Sequence, residues 1–131
     1  MPKKIVYRSN ESFASIREVA SLWGKEVPPR HCAFFVGDST EVWIPSEKPT
    51  KNWTNEASED FQTIRESPNC VDSDERKKKL SENFDGTIKT RIVFWRAEVC
   101  RFVGVYKLDE SDGDPGSRLW RRVALEVSVP A

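Results

Sequence analysis

Apolar positions fall at helical spacing in one stretch near the start of the chain. Within residues 11–23, Phe13, Ile16, Val19, Ala20 and Trp23 line one stripe, which predicts an amphipathic helix packed against a sheet. Ser9 or Asn10 can cap its start, Glu11 complements the dipole, and Gly24 supplies a stop. The aromatic stripe is read as core. From Cys32 onward the pattern changes to short apolar runs at 32–36, 41–44, 89–95, 100–108 and 119–129, rich in Val, Ile, Phe and Trp and separated by Gly, Pro, Asp and Ser. That is strand-and-turn punctuation. Strands joined mostly by hairpins predict a curved antiparallel sheet or partly closed β-barrel, so the fold class is α+β with an N-terminal amphipathic helix. Residues 67–85 are polar around a charged centre at 72–79 and are expected as a loop or a short exposed helix.

The 131 residues fit one domain spanning the whole sequence. Lys plus Arg and Asp plus Glu are 21 each, so any affinity for phosphate must come from uneven placement of charge. Placement is uneven: residues 86–108 carry net +4, and Asp109, Glu110, Asp112 and Asp114 then contribute −4. Such blocks also serve simply to solvate two faces. Cys32, Cys70 and Cys100 are odd in number and far apart, with His31 as the sole histidine, which argues against a disulfide framework and against zinc. A reduced, cytoplasmic setting is expected, or a nuclear one in a eukaryote. No apolar run approaches the ~20 residues that span a bilayer, so no membrane partner is expected.

The densest information lies in residues 101–123, where Arg-Phe-Val-Gly-Val-Tyr-Lys-Leu precedes an acidic, Gly-containing loop and then Leu-Trp-Arg-Arg-Val. Two strands joined by a turn would gather Phe102, Tyr106 and Trp120 while Arg101, Lys107, Arg121 and Arg122 point outward. Aromatics beside arginines suit nucleic acid. Phe102, Gly104, Val105, Tyr106, Lys107, Trp120 and Arg121 resemble the closing hairpin of the SET- and RING-associated (SRA) family, PUA-like modules that hold a modified base flipped out of duplex DNA. Thr90-Arg-Ile-Val-Phe94 is similar to the strand that precedes it. The resemblance is good over residues 88–123, suggestive over 41–66 and absent over the first 30. It implies an SRA/PUA-like barrel and a DNA partner. Eukaryotic members add a Gly-rich capture loop that has no counterpart before Trp53, so the resemblance does not select 5-methylcytosine as ligand.

A flipped base needs a flat apolar wall and a short polar group at its pairing edge, which would otherwise be buried without partners. Trp53 offers the wall, Asn55 or Asp60 the edge contact, and Trp43 or Phe35 a second wall. Stacking on one ring is worth roughly 1–3 kcal/mol, comparable with the cost of unstacking, so two walls are needed. Taken alone the segment also reads as a core tryptophan followed by a capped turn. It is similar, however, to the aromatic, amide and acidic cluster of SRA-like domains attached to modification-dependent restriction endonucleases, and this assigns Trp53, Asn55 and Asp60 to the pocket. Lys89, Arg91, Arg101, Arg121 and Arg122 are the candidate backbone contacts. Four neutralised phosphates would give a log–log salt slope of about −3.6.

Catalytic constellations are lacking. His31 and Cys32 are adjacent, and neighbours on a strand face opposite ways. Asp60 with Glu75 and Lys77 superficially matches a nuclease triad, but Glu75 and Lys77 sit in a wholly polar run that cannot hold a metal rigidly. No motif for a cofactor is present. The expectation is therefore a non-catalytic binding module for DNA with a modified base: an excised domain, a free-standing reader, or the specificity component of a system whose nuclease effector is another domain or subunit. Two alternatives remain: RNA binding by the same PUA-like barrel, and a small protein-interaction or inhibitor module of a phage or defence system that uses the acidic loop 109–114.

Overall fold

The computed structural model describes residues 3–28, 31–37, 39–69, 72–83 and 87–130. Its elements are β1 (Lys3–Val6), α1 (Ile16–Ser21), β2 (Ala33–Phe35), β3 (Thr40–Trp43), β4 (Trp53–Ala57), β5 (Thr63–Pro68), α2 (Ser73–Asn83), β6 (Thr90–Arg96), β7 (Cys100–Leu108), β8 (Arg118–Ala124) and β9 (Glu126–Val129). Seven strands form one sheet in the order β2-β3-β6-β7-β8-β5-β4, and β1 pairs with β9 in a separate two-stranded ribbon. The edge strands β2 and β4 do not bond to each other, so the large sheet is curved but not closed.

Several expectations need correction. The sheet is mixed, because β3 runs parallel to β6 from Thr40↔Thr90 to Trp43↔Val93, while every other neighbouring pair is antiparallel. The first helix is six residues long and starts only after Ser15, whose hydroxyl accepts from the Glu18 N–H; Ser9 and Asn10 do not cap it. Phe13 instead bridges to Cys100 as extended chain. The expected strand at 119–129 is two elements, β8 and β9, which belong to different sheets. The polar segment at 67–85, by contrast, contains α2, the helical one of the two forms expected there. Of the cysteines, Cys32 and Cys100 are free thiols, and Cys70 lies outside the described residues.

The convex face of the sheet is covered by α1 and the β1–β9 ribbon. Ile16, Val19 and Ala20 of α1 meet Ile5, Val42, Ile92, Phe94 and Phe102, and Trp23 sets its ring edge-on to Phe34 and Phe94. The concave face holds Trp43, Ile64, Val93, Trp95, Val103, Tyr106 and Trp120. β6 is therefore buried on both faces, as befits a central strand.

A bulge on β7 decides which residues share a face. The β6–β7 register slips at Val93/Phe94, so Phe102 and Val105 pack on the convex side while Val103 and Tyr106 face the concavity. The expected gathering of Phe102 with Tyr106 and Trp120 is thus half correct, since one extra residue turns Phe102 away. Gly104 occupies the bulge with φ +146°, and a Cβ there would stand 2.8 Å from Arg122 Cγ and 3.1 Å from the Ala124 carbonyl. Only glycine allows Arg122 to cross β7 and donate to the Val103 carbonyl at 3.2 Å.

Candidate nucleic-acid interface

The concave face is built in tiers. Its upper tier joins β3, β6, β5 and β4, where register places Glu41 beside Arg91 and Glu66 beside both Asn55 and Arg118. Residues directly opposite on neighbouring strands share a face. Across the curve, Arg91 Nε donates to Glu41 Oε1 at 2.8 Å and Arg91 Nη1 to Glu66 Oε1 at 3.0 Å. The same Glu66 oxygen accepts from Trp120 Nε1 at 3.2 Å. The guanidinium is sandwiched, 4.2 Å from the Trp43 ring centroid and 4.4 Å from that of Trp120. Arg91, Glu41 and Glu66 are all under 10 % exposed, so this charge is shielded from bulk water. Burial pushes the Glu41 carboxyl above its ordinary range despite the opposing pull of Arg91. Burial likewise lowers the Arg118 guanidinium.

Two residues out from this centre, Asn55 and Trp53 sit on the edge strand β4 with the same facing, both half-buried. Asn55 Oδ1 is buried and accepts no hydrogen bond from the protein. A buried acceptor left unpaired costs about 1–3 kcal/mol, so it requires an explanation. The start of β4 is anchored: Asn69 Nδ2 donates to the Thr50 carbonyl at 2.7 Å, Thr54 bonds Asn69, and Lys79 of α2 reaches Asn52 at 3.2 Å. The amide of Asn55 is thus carried on a strand fixed at its entrance.

The other candidate residues distribute unevenly. Trp43 is 3 % exposed and is consumed by packing on Trp120 and Arg91, so it is a floor beneath the tier and does not present an open face. Phe35 is 56 % exposed on the opposite edge strand, β2. Asp60 lies past the end of β4, in the β4–β5 turn, where it accepts from Gln62 Nε2 at 2.9 Å. Arg91 is no phosphate contact, because its guanidinium is committed inside the sheet. Arg122 is half-buried and lies 4.5 Å from the Tyr7 ring centroid. Lys89, Arg101 and Arg121 are exposed. Glu66 escaped the sequence reading because its place opposite Asn55 depends on the register of a hairpin whose strands are largely polar.

The acidic loop between β7 and β8 turns back on the protein's own cations. Asp109 Oδ2 accepts from Arg121 Nη2 at 2.8 Å, Glu110 pairs with Lys89 at 3.6 Å, and Asp112 takes both terminal nitrogens of Arg65 at 2.9 and 3.1 Å. Asp114 adds a 3.7 Å contact to Arg65. Bonds from the Ser111 hydroxyl and then Arg121 hold Asp109 down at about 2. Asp112 is lowered chiefly by Arg65, and Asp114 by the Gly116 N–H and then Ser117.

A family model described as the SET and RING associated domain matches residues 2–129. The chain belongs to the SRA family. Among solved structures this SRA chain is similar to the 5-hydroxymethylcytosine-specific restriction enzyme AbaSI, with a TM-score of 0.79 and 26 % identity. The similarity covers 98 % of this chain and 43 % of that one, so this SRA chain spans less than half the length of the enzyme it matches. No curated protein matches it. Among the described residues no helix is long and apolar enough to cross a membrane.

Proposed function

We propose that this SRA domain binds duplex DNA and receives a modified cytosine at the upper tier of its concave face. Trp53 supplies a stacking wall, and Asn55 and Glu66 read the polar groups of the base. The observation that carries this assignment is the buried, unpartnered Oδ1 of Asn55 directly opposite the Glu66 carboxylate. An acceptor waiting in a protected place asks for a donor, and a flipped cytosine brings one in its exocyclic amine. A 5-hydroxymethyl group brings a second in its hydroxyl. With AbaSI described as 5-hydroxymethylcytosine-specific, that base is the first ligand to test. Phe35 on the facing edge strand is the candidate for the second wall, and Asp60 is assigned no part in it.

Lys89, Arg101 and Arg121 are the backbone contacts in this reading, three in place of four, so the log–log salt slope should be about −2.7. Lys89 and Arg121 already hold carboxylates, and phosphates would replace Glu110 and Asp109 there. The same pairing weakens the reading of the loop as a lure for a basic protein, since its carboxylates are engaged within the chain. Cleavage, where it occurs, is assigned to a nuclease domain or subunit outside the region described here.

The test is a titration of duplexes carrying one cytosine, 5-methylcytosine or 5-hydroxymethylcytosine with the native chain, Asn55→Ala and Trp53→Ala, with a structured RNA as competitor. Both variants should lose discrimination between the bases while keeping salt-sensitive affinity. Unchanged discrimination in Asn55→Ala, or displacement by RNA at lower concentration than by modified DNA, would reject the assignment.

A further inference from the structure

The lower end of the concave face opens into a separate hollow of about 500 Å³, within the range of small-ligand sites. Its aromatic wall is Phe61 set edge-on to Trp95 at 5.4 Å, with Tyr7 a further 6.4 Å from Phe61. Arg8, Arg101, Glu47 and Glu98 stand exposed at its rim, and the remaining rim carboxylate, Glu11, is neutralised by Lys3 at 2.5 Å. The hollow is distinct from the Asn55 tier. Phe61 lies beyond the far end of β4, and none of Trp53, Asn55 and Glu66 lines the hollow.

Backbone strain gathers at the same place. Among the described residues only Arg8, at φ +66°, and Phe61, at φ +62°, are non-glycine residues in the left-handed region, and both line this hollow. Such conformations persist where surrounding structure enforces them, and they concentrate at ligand clamps. Here the turn that strains Phe61 is held by the Tyr106 hydroxyl, which donates to the Phe61 carbonyl at 2.5 Å. The effect is to direct the phenyl ring into the hollow against Trp95.

We propose that this hollow is a second binding site, for a nucleoside monophosphate free in solution. A flat ring suits the Phe61–Trp95 wall. Exocyclic amines of the ring meet the acceptors Glu47 and Glu98, and a phosphate meets the two guanidinium groups, which favour bidentate contact with its oxygens. A purely apolar ligand would leave four charged rim groups unused, and a simple cation would face two arginines.

Isothermal titration of the full chain with cytidine 5′-monophosphate, adenosine 5′-monophosphate and the matching nucleosides tests this. The monophosphates should bind and the nucleosides bind more weakly. Arg101→Gln should weaken the monophosphates about tenfold, the loss of one charge-assisted contact, with no change for the nucleosides. Phe61→Ala should abolish both. Asn55→Ala should leave mononucleotide binding as it is while removing base discrimination in duplex DNA, which tells the two sites apart although Arg101 serves both. Absence of binding by either monophosphate to the native chain would overturn the proposal. So would binding that Arg101→Gln leaves intact and Asn55→Ala removes.

Discussion

Arg91 and Arg65 each hold two carboxylates, yet the two clusters have opposite characters. Arg91 grips Glu41 and Glu66 with side chains 8–11 % exposed and two indole rings against its faces. Arg65 grips Asp112 and Asp114 with its own side chain 32 % exposed and that of Asp114 51 % exposed. Water does part of the work for Arg65 and none of it for Arg91. A buried ion group gains little over a well-packed apolar one, but removing one member strands the others, whereas an exposed pair is screened and nearly dispensable. The same bonding pattern is therefore a rigid keel in one place and a releasable latch in the other.

The largest effect should come from breaking the keel. Arg91→Ala leaves Glu41 and Glu66 buried without their cation and should cost about 3–5 kcal/mol in urea unfolding; a loss under about 1 kcal/mol would show that water enters the tier. Next comes the bulge on β7. Gly104→Ala forces a side chain into a strained φ against Arg122 and should cost about 1–3 kcal/mol by the same measurement.

The latch should barely register. Arg65→Ala is expected to change stability by about 0–1 kcal/mol while speeding amide exchange in the 109–117 loop; a global loss comparable to that of Arg91→Ala would erase the distinction. Acid offers the mildest probe. Asp109 is held down from 3.8 to about 2, and Asp112 and Asp114 are lowered too, so all three bind protons more weakly folded than unfolded. The stabilisation from Asp109 is present above about pH 4 and is lost as pH falls through about 2, and that from Asp112 and Asp114 fades in the same direction. Loop amides followed by NMR should therefore hold their shifts down to about pH 4 and drift below it.

Much of the sheet was legible because Val, Ile, Phe and Trp cluster in β2, β3, β6 and β7. β4 and β5 were not, since Thr54, Asn55, Glu56, Arg65 and Glu66 carry strand geometry without apolar alternation, and their pairing is a tertiary fact. Arg91 misled for a related reason. In a strand buried on both faces alternation does not separate inside from outside, so a cation between Thr90 and Ile92 read as outward. The bulge at Gly104 hid the phase change that parts Phe102 from Tyr106. Of the proposed site, Trp53 and Asn55 could be named only once residue type was joined to the family resemblance, while Glu66 and the charged centre required register.

The keel draws on positions 41, 66 and 91, and its β3–β6 pairing closes a span from Thr40 to Thr90. Ordering so much chain before any contact repays the entropy makes this a late event in folding, and non-local pairing of this kind is slow. A newly made chain would thus acquire its hairpins first and the tier proposed to receive the base last. Refolding kinetics, followed through indole fluorescence as Trp43 and Trp120 close over Arg91, would time the moment at which the protein becomes able to bind.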